Sequence, residues 1–329
     1  MTSPLGPKIL IVGVNWLGDV LFLTPAIRAL KAHFPEACFA CAVPARCAGL
    51  LQNNPYLSEV IEWDDKIFLW TPFKFFSTLR RIKKRRFNSV IFFHRSKTKA
   101  FMAWLAGIRR RAGYEAPFQD LHRTDHFLNL IKKMGVPPAG RTPDFFIKKG
   151  TEEELRGLLL EKGVALGEPY IVVHAGGNWE LKRWPADYFV EWIRLFLERY
   201  SMKVVLCGTA SERKIAEQII SHFKNGRVVS LCGETSLDGL AALLKNAKLL
   251  LSNDSGPIHL AASQKTKIVG VFGPTSAKET GPISEAPVRI LRKDVGCQIP
   301  CYFRSCHPRV CMEWLKPEEV FAQTAEILS

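Results

Sequence analysis

Lys8–Lys31 reads KILIVGVNWLGDVLFLTPAIRALK, and its two halves follow different periods. Lys8–Val14 is a short β-branched apolar run that stops at Asn15-Trp16-Leu17-Gly18-Asp19. Beyond it Leu23, Ala26, Ile27 and Leu30 recur on one helical face, with Pro25 in the early turns, where its missing N–H is tolerated. A strand, a glycine-containing loop and a helix in that order predict the opening unit of a parallel sheet covered by helices.

The same alternation continues outward. Further strands are expected at Cys38–Val43, Val60–Trp63 and Ser89–His94, with helices at Cys47–Asn53, Phe75–Lys84 and Lys99–Leu105. The stretch Pro137–Thr151, rich in Pro, Gly and Lys, predicts a boundary, giving an N-terminal domain over 1–150 and a C-terminal domain over 151–329. Alternation restarts there. Strands are expected at Tyr170–His174, Lys203–Cys207, Val228–Leu231, Leu249–Ser252 and Ile268–Phe272. Helices are expected at Pro185–Tyr200, Ser211–Phe223, Ser236–Lys245, Gly256–Ser263 and Glu318–Leu328. The class is α/β, as two successive doubly wound parallel sheets, with ligands expected at the carboxyl ends of strands and in the cleft.

The 329 residues are 47% apolar with 21 Phe and 8 Trp, which excludes disorder, and the length excludes a small disulfide-stapled scaffold. No run of 18 apolar residues occurs. The apolar stretch Ile9–Leu30 is broken by Asn15, Asp19 and Arg28, which a signal-peptide core does not tolerate, so a reducing cytoplasm is expected. The net charge of +15 is uneven. Residues 1–150 carry 24 Lys+Arg against 10 Asp+Glu, while 151–329 carry 22 against 21. The first half is therefore expected to meet a polyanion: nucleic acid, an acidic membrane or an anionic saccharide.

Four polar loops follow expected strands. In Asn15–Asp19 the carboxylate of Asp19 either caps the helix or acts as general base toward an acceptor hydroxyl. In His174–Pro185 (HAGGNWELKRWP), Gly176 and Gly177 let amides approach a phosphate that Lys182 and Arg183 would neutralise; a hairpin with solvated cations is the other reading. Neither GxxxxGK[ST] nor GxGxxG occurs, so an ordinary NTPase and a dinucleotide oxidoreductase lack support. In Cys207–Glu212, Glu212 either caps the next helix or accepts hydrogen bonds from ribose hydroxyls. In Ser252–Ala262 (SNDSGPIHLAA), Asp254 and Ser255 precede a helix opened by Gly256-Pro257, whose free N–H groups suit a diphosphate. His259 lies one turn in, on the face expected nearest that ligand.

In this order NWLGDVLFLTPAIRALK (Asn15–Lys31), GNWELKRWPADYF (Gly177–Phe189), NDSGPIHLAA (Asn253–Ala262) and FGPTSAKETGP (Phe272–Pro282) resemble glycosyltransferase family nine, the ADP-heptose:lipopolysaccharide heptosyltransferases. The resemblance runs from Ile9 to about Val320 and is nearer the heptosyltransferase II type. It implies a GT-B fold of two Rossmann-like domains, acceptor on the first and nucleotide sugar on the second. It implies Asp19 as catalytic base, Lys182 facing the donor diphosphate and Glu212 on the ADP ribose. Asp254 and His259 would surround the donor heptose and phosphates, with Ser255 and Gly256 offering backbone amides. The reaction implied is an inverting transfer of heptose from ADP-heptose, with no cofactor required. The rival readings are another GT-B activity, with a different sugar donor or as a nucleotide-sugar epimerase, and, from the basic half, a nucleic-acid-binding protein, against which the lack of an HTH, zinc-finger, RRM or KH signature speaks.

Arg80–Arg86 follows the aromatic stretch Ile67–Phe76, a pairing that fits a protein resting on the anionic inner leaflet, or else a helix with core aromatics and a solvated face. Arg95, Lys97 and Lys99, and Arg109, Arg110 and Arg111, are expected at sheet edges facing the cleft, binding an anionic, membrane-anchored glycolipid acceptor. Cys297, Cys301, Cys306 and Cys311 either bind zinc as a loop staple, without the CxxC pairs of zinc ribbons, or stand as free thiols. The remaining five cysteines read as small core hydrophobes.

Overall fold

A computed structural model describes residues 7–63, 72–113, 121–301, 303 and 305–329. Ile67–Thr71 of the aromatic stretch and Tyr114 lie outside the described residues. The chain divides into two compact units, Met1–Phe146 and Ile147–Ser329.

In the first unit five strands form one parallel sheet: β1 (Lys8–Val12), β2 (Cys38–Val43), β3 (Glu59–Glu62), β4 (Ser89–Phe92) and β5 (Arg110–Gly113). Their order is β3-β2-β1-β4-β5. Leu10, Ile11 and Val12 are fully buried, as expected for a central strand covered on both faces, whose residues run apolar instead of alternating. The order reverses between β1 and β4, so the loops leaving their carboxyl ends diverge and open a crevice there.

The second unit repeats the scheme with β6 (Tyr170–His174), β7 (Lys203–Leu206), β8 (Val228–Ser230), β9 (Leu250–Asn253), β10 (Ile268–Val271) and β11 (Val288–Leu291), all parallel, in the order β11-β10-β9-β6-β7-β8. Its reversal falls between β6 and β9. Phe189, Trp192, Ile193 and Phe196 of the helix Ala186–Arg199 form one buried cluster with Val320 and Ile327 of the helix Pro317–Leu328.

Several expected bounds shift. β1 ends at Val12, because Gly13 lies hard against Val43, where an added Cβ would come within 2.8 Å of its Cγ1. The expected helix Cys47–Asn53 is a single turn, Ala45–Ala48. Pro137–Thr151 is not a free linker. Its first part is strapped to the helix Leu17–His33, where Arg28 bonds the carbonyls of Ala139 and Thr142 and the carboxylate of Asp144. The Asp144 amide also bonds the Thr24 hydroxyl at 2.7 Å, and the last part opens a helix, Thr151–Glu161. The helix Arg123–Lys133, with Phe127, Leu128, Leu130 and Ile131 buried, and the four-residue strands β5 and β11 are additions to the expected elements.

The arginine cluster does lie at a sheet edge: Arg110 and Arg111 are in edge strand β5, where Arg110 pairs with Ser89, the first residue of β4. Arg109 and Arg110 therefore lie at the amino edge of the sheet, opposite the end that carries Asp19. Lys99, expected beside Arg95 and Lys97, is fully buried with its ammonium 5.9 Å from the Trp63 ring.

Phe196 is fully buried and stacks on Trp192 with centroids 5.4 Å apart. Phe196→Ala is expected to lower stability by about 3–5 kcal/mol through lost transfer energy plus a cavity. Urea unfolding measures this, and a change below about 1 kcal/mol would contradict the packing.

Candidate active site

The site of the second unit is assembled at the switch point between β6 and β9. Asn253, the last residue of β9, is fully buried, and its side-chain amide donates to the carbonyls of Ala175 (3.0 Å) and Gly176 (2.9 Å). Its side-chain oxygen accepts the Trp184 amide at 3.0 Å. One amide thus ties the loop after β6, at both ends, to the neighbouring strand. The loop is further held by Arg183 on the Gly177 carbonyl at 2.8 Å and by Arg309 on the Glu180 carbonyl at 2.9 Å.

This places Lys182, the last residue of a 3₁₀ turn, against the next strand end. Its ammonium is 2.7 Å from the Asp254 carboxylate, which also accepts the Thr275 hydroxyl at 2.5 Å from the loop after β10. The same ammonium lies 5.9 Å from the Trp179 ring. Asp254 is buried, so this pair costs desolvation and is held in register by its extra hydrogen bond. Thr275 joins the site although its sequence signal is only a residue after Gly-Pro.

The helix Gly256–Ser263 starts beside this pair. Its N-cap residue, Ser255, makes no capping bond; its hydroxyl is instead 2.9 Å from His174 Nδ1. Pro257 has no N–H and the Ile258 amide bonds the Ser255 carbonyl at 3.2 Å, so the Gly256 amide is the group this helix start can turn to an external acceptor, and the space where a Cβ of Gly256 would point is empty. His259, one turn on, is buried.

Glu212 fulfils the cap reading, forming a capping box with Thr209 at the start of the 3₁₀ turn Ala210–Glu212. Oε1 accepts the Gly177 amide at 2.6 Å and faces His174 Nε2 at 3.4 Å; Oε2 accepts the Thr209 amide at 2.7 Å and its hydroxyl at 2.9 Å. Burial pushes this carboxyl up, but the donors from His174 and Thr209 outweigh it and bring the pKa down to about 2. The Gly177 amide is thus taken by Glu212 and is not free for a phosphate. Gly176 lacks a side chain because any Cβ there would overlap the Glu212 carboxylate.

In the first unit the helix Leu17–His33 begins before Asp19, which sits in its first turn and not in the preceding loop; the N-cap is Trp16, so Asp19 is not the cap. Burial raises the Asp19 carboxyl above the ordinary aspartate range, while Arg123 and His94 pull it down. Asn15 is 3.4 Å from His94, at the end of β4, and its carbonyl accepts Arg46 at 2.6 Å. Arg95 and Lys97 follow on the same carboxyl edge and are exposed. Arg123, placed by the helix Arg123–Lys133, carried no motif in the sequence.

Cys297, Cys301, Cys306 and Cys311 are free thiols, and among the described residues no group of three or more His, Cys, Asp or Glu side chains is placed to hold a metal ion. The segment packs on the site's loops instead, with the Cys301 amide on the Pro274 carbonyl at 2.7 Å.

Two doubly wound parallel sheets in one chain, the second with a cation and an open helix start at its switch point, define a glycosyltransferase of the GT-B class. Solved structures agree on the fold. Escherichia coli ADP-heptose lipopolysaccharide heptosyltransferase II superposes with a TM-score of 0.80 at 22% identity, covering 98% of each chain. A family 9 glycosyltransferase of Veillonella parvula gives 0.83 at 20% identity, covering 98% of this chain and 97% of that one. Lipooligosaccharide heptosyltransferase 2 of Campylobacter jejuni is 26% identical over an alignment 336 positions long, covering 98% of both chains. The profile of glycosyltransferase family 9 (heptosyltransferase) matches residues 75–306, and the chain belongs to that family.

The Glu212 geometry sets a pH dependence. A carboxyl at about 2 in the folded protein and 4.5 when free stabilises the fold fully above about pH 5, and that contribution is lost as pH falls toward 2. Chemical unfolding from pH 6 to 2 is expected to show this loss in the wild type and a shallower one in Glu212→Gln; parallel profiles would refute the assignment.

Proposed function

We propose that the protein is an inverting heptosyltransferase that transfers heptose from ADP-L-glycero-D-manno-heptose to the inner core of lipopolysaccharide, binding acceptor on the first unit and donor on the second. The observation that carries this reading is the Lys182–Asp254 pair at the uncapped start of the helix Gly256–Ser263, a preorganised cation and amide set for a diphosphate. Family membership supports the reaction class, and the relatives' names, heptosyltransferases of lipooligosaccharide and lipopolysaccharide, support donor and acceptor.

In this mechanism Asp19 takes the proton of the acceptor hydroxyl, which attacks the anomeric carbon and inverts it as the bond to the β-phosphate oxygen breaks. Charge developing on departing ADP is met by Lys182, the Gly256 amide and the dipole of the helix it opens, so the reaction is proposed to need no metal cofactor. Asp254 sets the position of Lys182, His259 supports the helix, and Glu212 organises the Gly177 and Thr209 amides below the nucleotide. Arg95 and Lys97 are proposed to meet the anionic groups of the acceptor. Arg109, Arg110 and Arg111 are not, because Arg109 and Arg110 lie at the opposite edge of the sheet and Arg111 follows them along its outer strand. The acceptor is a glycolipid, so action is proposed at the cytoplasmic face of the inner membrane.

Two surface features support that last step. On the helix Pro72–Arg85, Phe73 and Phe76 are exposed beside Arg80, Arg81, Lys83 and Lys84, and Arg86 follows the helix. On the neighbouring helix Lys97–Leu105, exposed Phe101 and Trp104 stack at 5.7 Å. Among the described residues no helix is long and apolar enough to cross a membrane.

Product analysis with ADP-heptose and a Kdo-containing or monoheptosylated acceptor tests the reaction. General-base help is worth about 10²–10⁴-fold, so Asp19→Asn should cut turnover by that order and leave ADP affinity nearly unchanged. Raised by burial, Asp19 should also place the acid limb of kcat/KM above the 3.8 of an ordinary aspartate. Lys182→Ala should weaken both donor binding and turnover; unchanged donor affinity would sink the diphosphate role. In vesicle sedimentation, anionic lipid should retain the protein at low salt, each surface cation contributing about 1 kcal/mol, and equal retention by neutral lipid would remove the electrostatic argument.

A further inference from the structure

We infer that His174 is a positioning residue, the centre of a relay from Glu212 to Ser255 that turns the Ser255 hydroxyl into a hydrogen-bond acceptor for a hydroxyl of the donor's sugar. The inference rests on the donor reading given above.

The relay is built from three elements. His174 ends β6 and is 3% exposed; Glu212 closes the 3₁₀ turn after β7; Ser255 precedes the helix after β9. Glu212 is ionised and accepts only, so the nitrogen facing it, His174 Nε2 at 3.4 Å, carries a proton. With the ring proton on Nε2, Nδ1 is the acceptor. Two hydroxyls are within reach of it: Ser255 at 2.9 Å and Ser252 at 3.4 Å. Ser252 spends its proton on the Asn253 carbonyl at 2.7 Å, a much shorter bond than the 3.2 Å from Ser255 to the same carbonyl. Ser255 is therefore the donor to Nδ1.

The consequence is one of polarity. A serine hydroxyl has one proton and two lone pairs, and here the proton points inward to a buried ring. What Ser255 offers the open helix start is lone pairs, which repel a phosphate oxygen and accept from a sugar hydroxyl. Phosphate recognition falls to Lys182 and the Gly256 amide, and Ser255 reads whether a sugar is attached. A site that hydrogen-bonds a substrate hydroxyl discriminates strongly against the ligand that lacks it.

The test compares ADP-heptose with ADP by calorimetry. Losing one neutral hydrogen bond, Ser255→Ala should weaken ADP-heptose about three- to tenfold and leave ADP within about twofold. The two amide replacements of His174 separate the relay from packing, because an asparagine amide reaches the position of Nδ1 and a glutamine amide that of Nε2. His174→Asn should stay within about twofold of wild type for ADP-heptose, whereas His174→Gln should match Ser255→Ala and add nothing to it in the double variant. Equal effects of Asn and Gln, or an equal loss of ADP affinity in Ser255→Ala, would overturn the relay alone. Failure of the wild-type protein to bind ADP-heptose would overturn the donor reading and the relay with it. If the buried His174 variants do not fold, as thermal unfolding would show, the Ser255→Ala comparison decides by itself.

Discussion

One buried carboxamide holds the candidate site of the second unit in shape. Asn253 bonds two carbonyls and one amide of the loop that leaves β6, and no other side-chain type supplies two donors and an acceptor from so short a stem. The constraint comes from topology. At the reversal of strand order β6 and β9 are neighbours whose following segments depart to opposite faces, so the loop between β6 and its helix crosses the end of β9 and buries its own backbone there. Those peptide groups need partners, and Asn253 provides them. Lys182, Arg183 and Trp184 take their positions from this tie, and Asp254 is the next residue along.

Electrostatics differs between the two units. The second, close to neutral, holds charges in pairs: Lys182 with Asp254, Lys162 with Glu234, Lys245 with Glu152. The first carries the excess of cations, and two partly buried carboxyls in it are pushed up by burial: Asp144 against Arg28, and Asp19 at the carboxyl edge with Arg123 and His94 acting on it. Burial makes the charged form of such a carboxyl more basic.

The fold was legible because central parallel strands such as Leu10–Val12 and Ile171–Val173 are continuous apolar runs that need no distant partner to be recognised. Edge strands escape that logic. Arg110–Gly113 is a strand only because β4 offers a free ladder, and nothing in Arg-Arg-Ala-Gly announces it; the same ignorance put its arginines at the wrong end of the sheet. Site residues at glycine-marked loops, Asp254, Ser255 and Lys182, were legible as a set. Their connections were not. That Glu212 also reaches Gly177, that His174 joins Glu212 to Ser255, and that Thr275 leans on Asp254 are contacts between residues 21 to 81 positions apart, which periodicity does not encode, whereas the Thr209–Glu212 capping box is local.

Gly176 and Glu212 share one volume. The carboxylate sits where a side chain at 176 would begin, so this corner can be filled in two ways: a bare backbone at 176 with a long acid opposite, or a side chain at 176 with a shortened residue at 212. The two positions are a single design variable. Remodelling this corner therefore requires exchanging both at once, because each single exchange leaves either a collision or a hole.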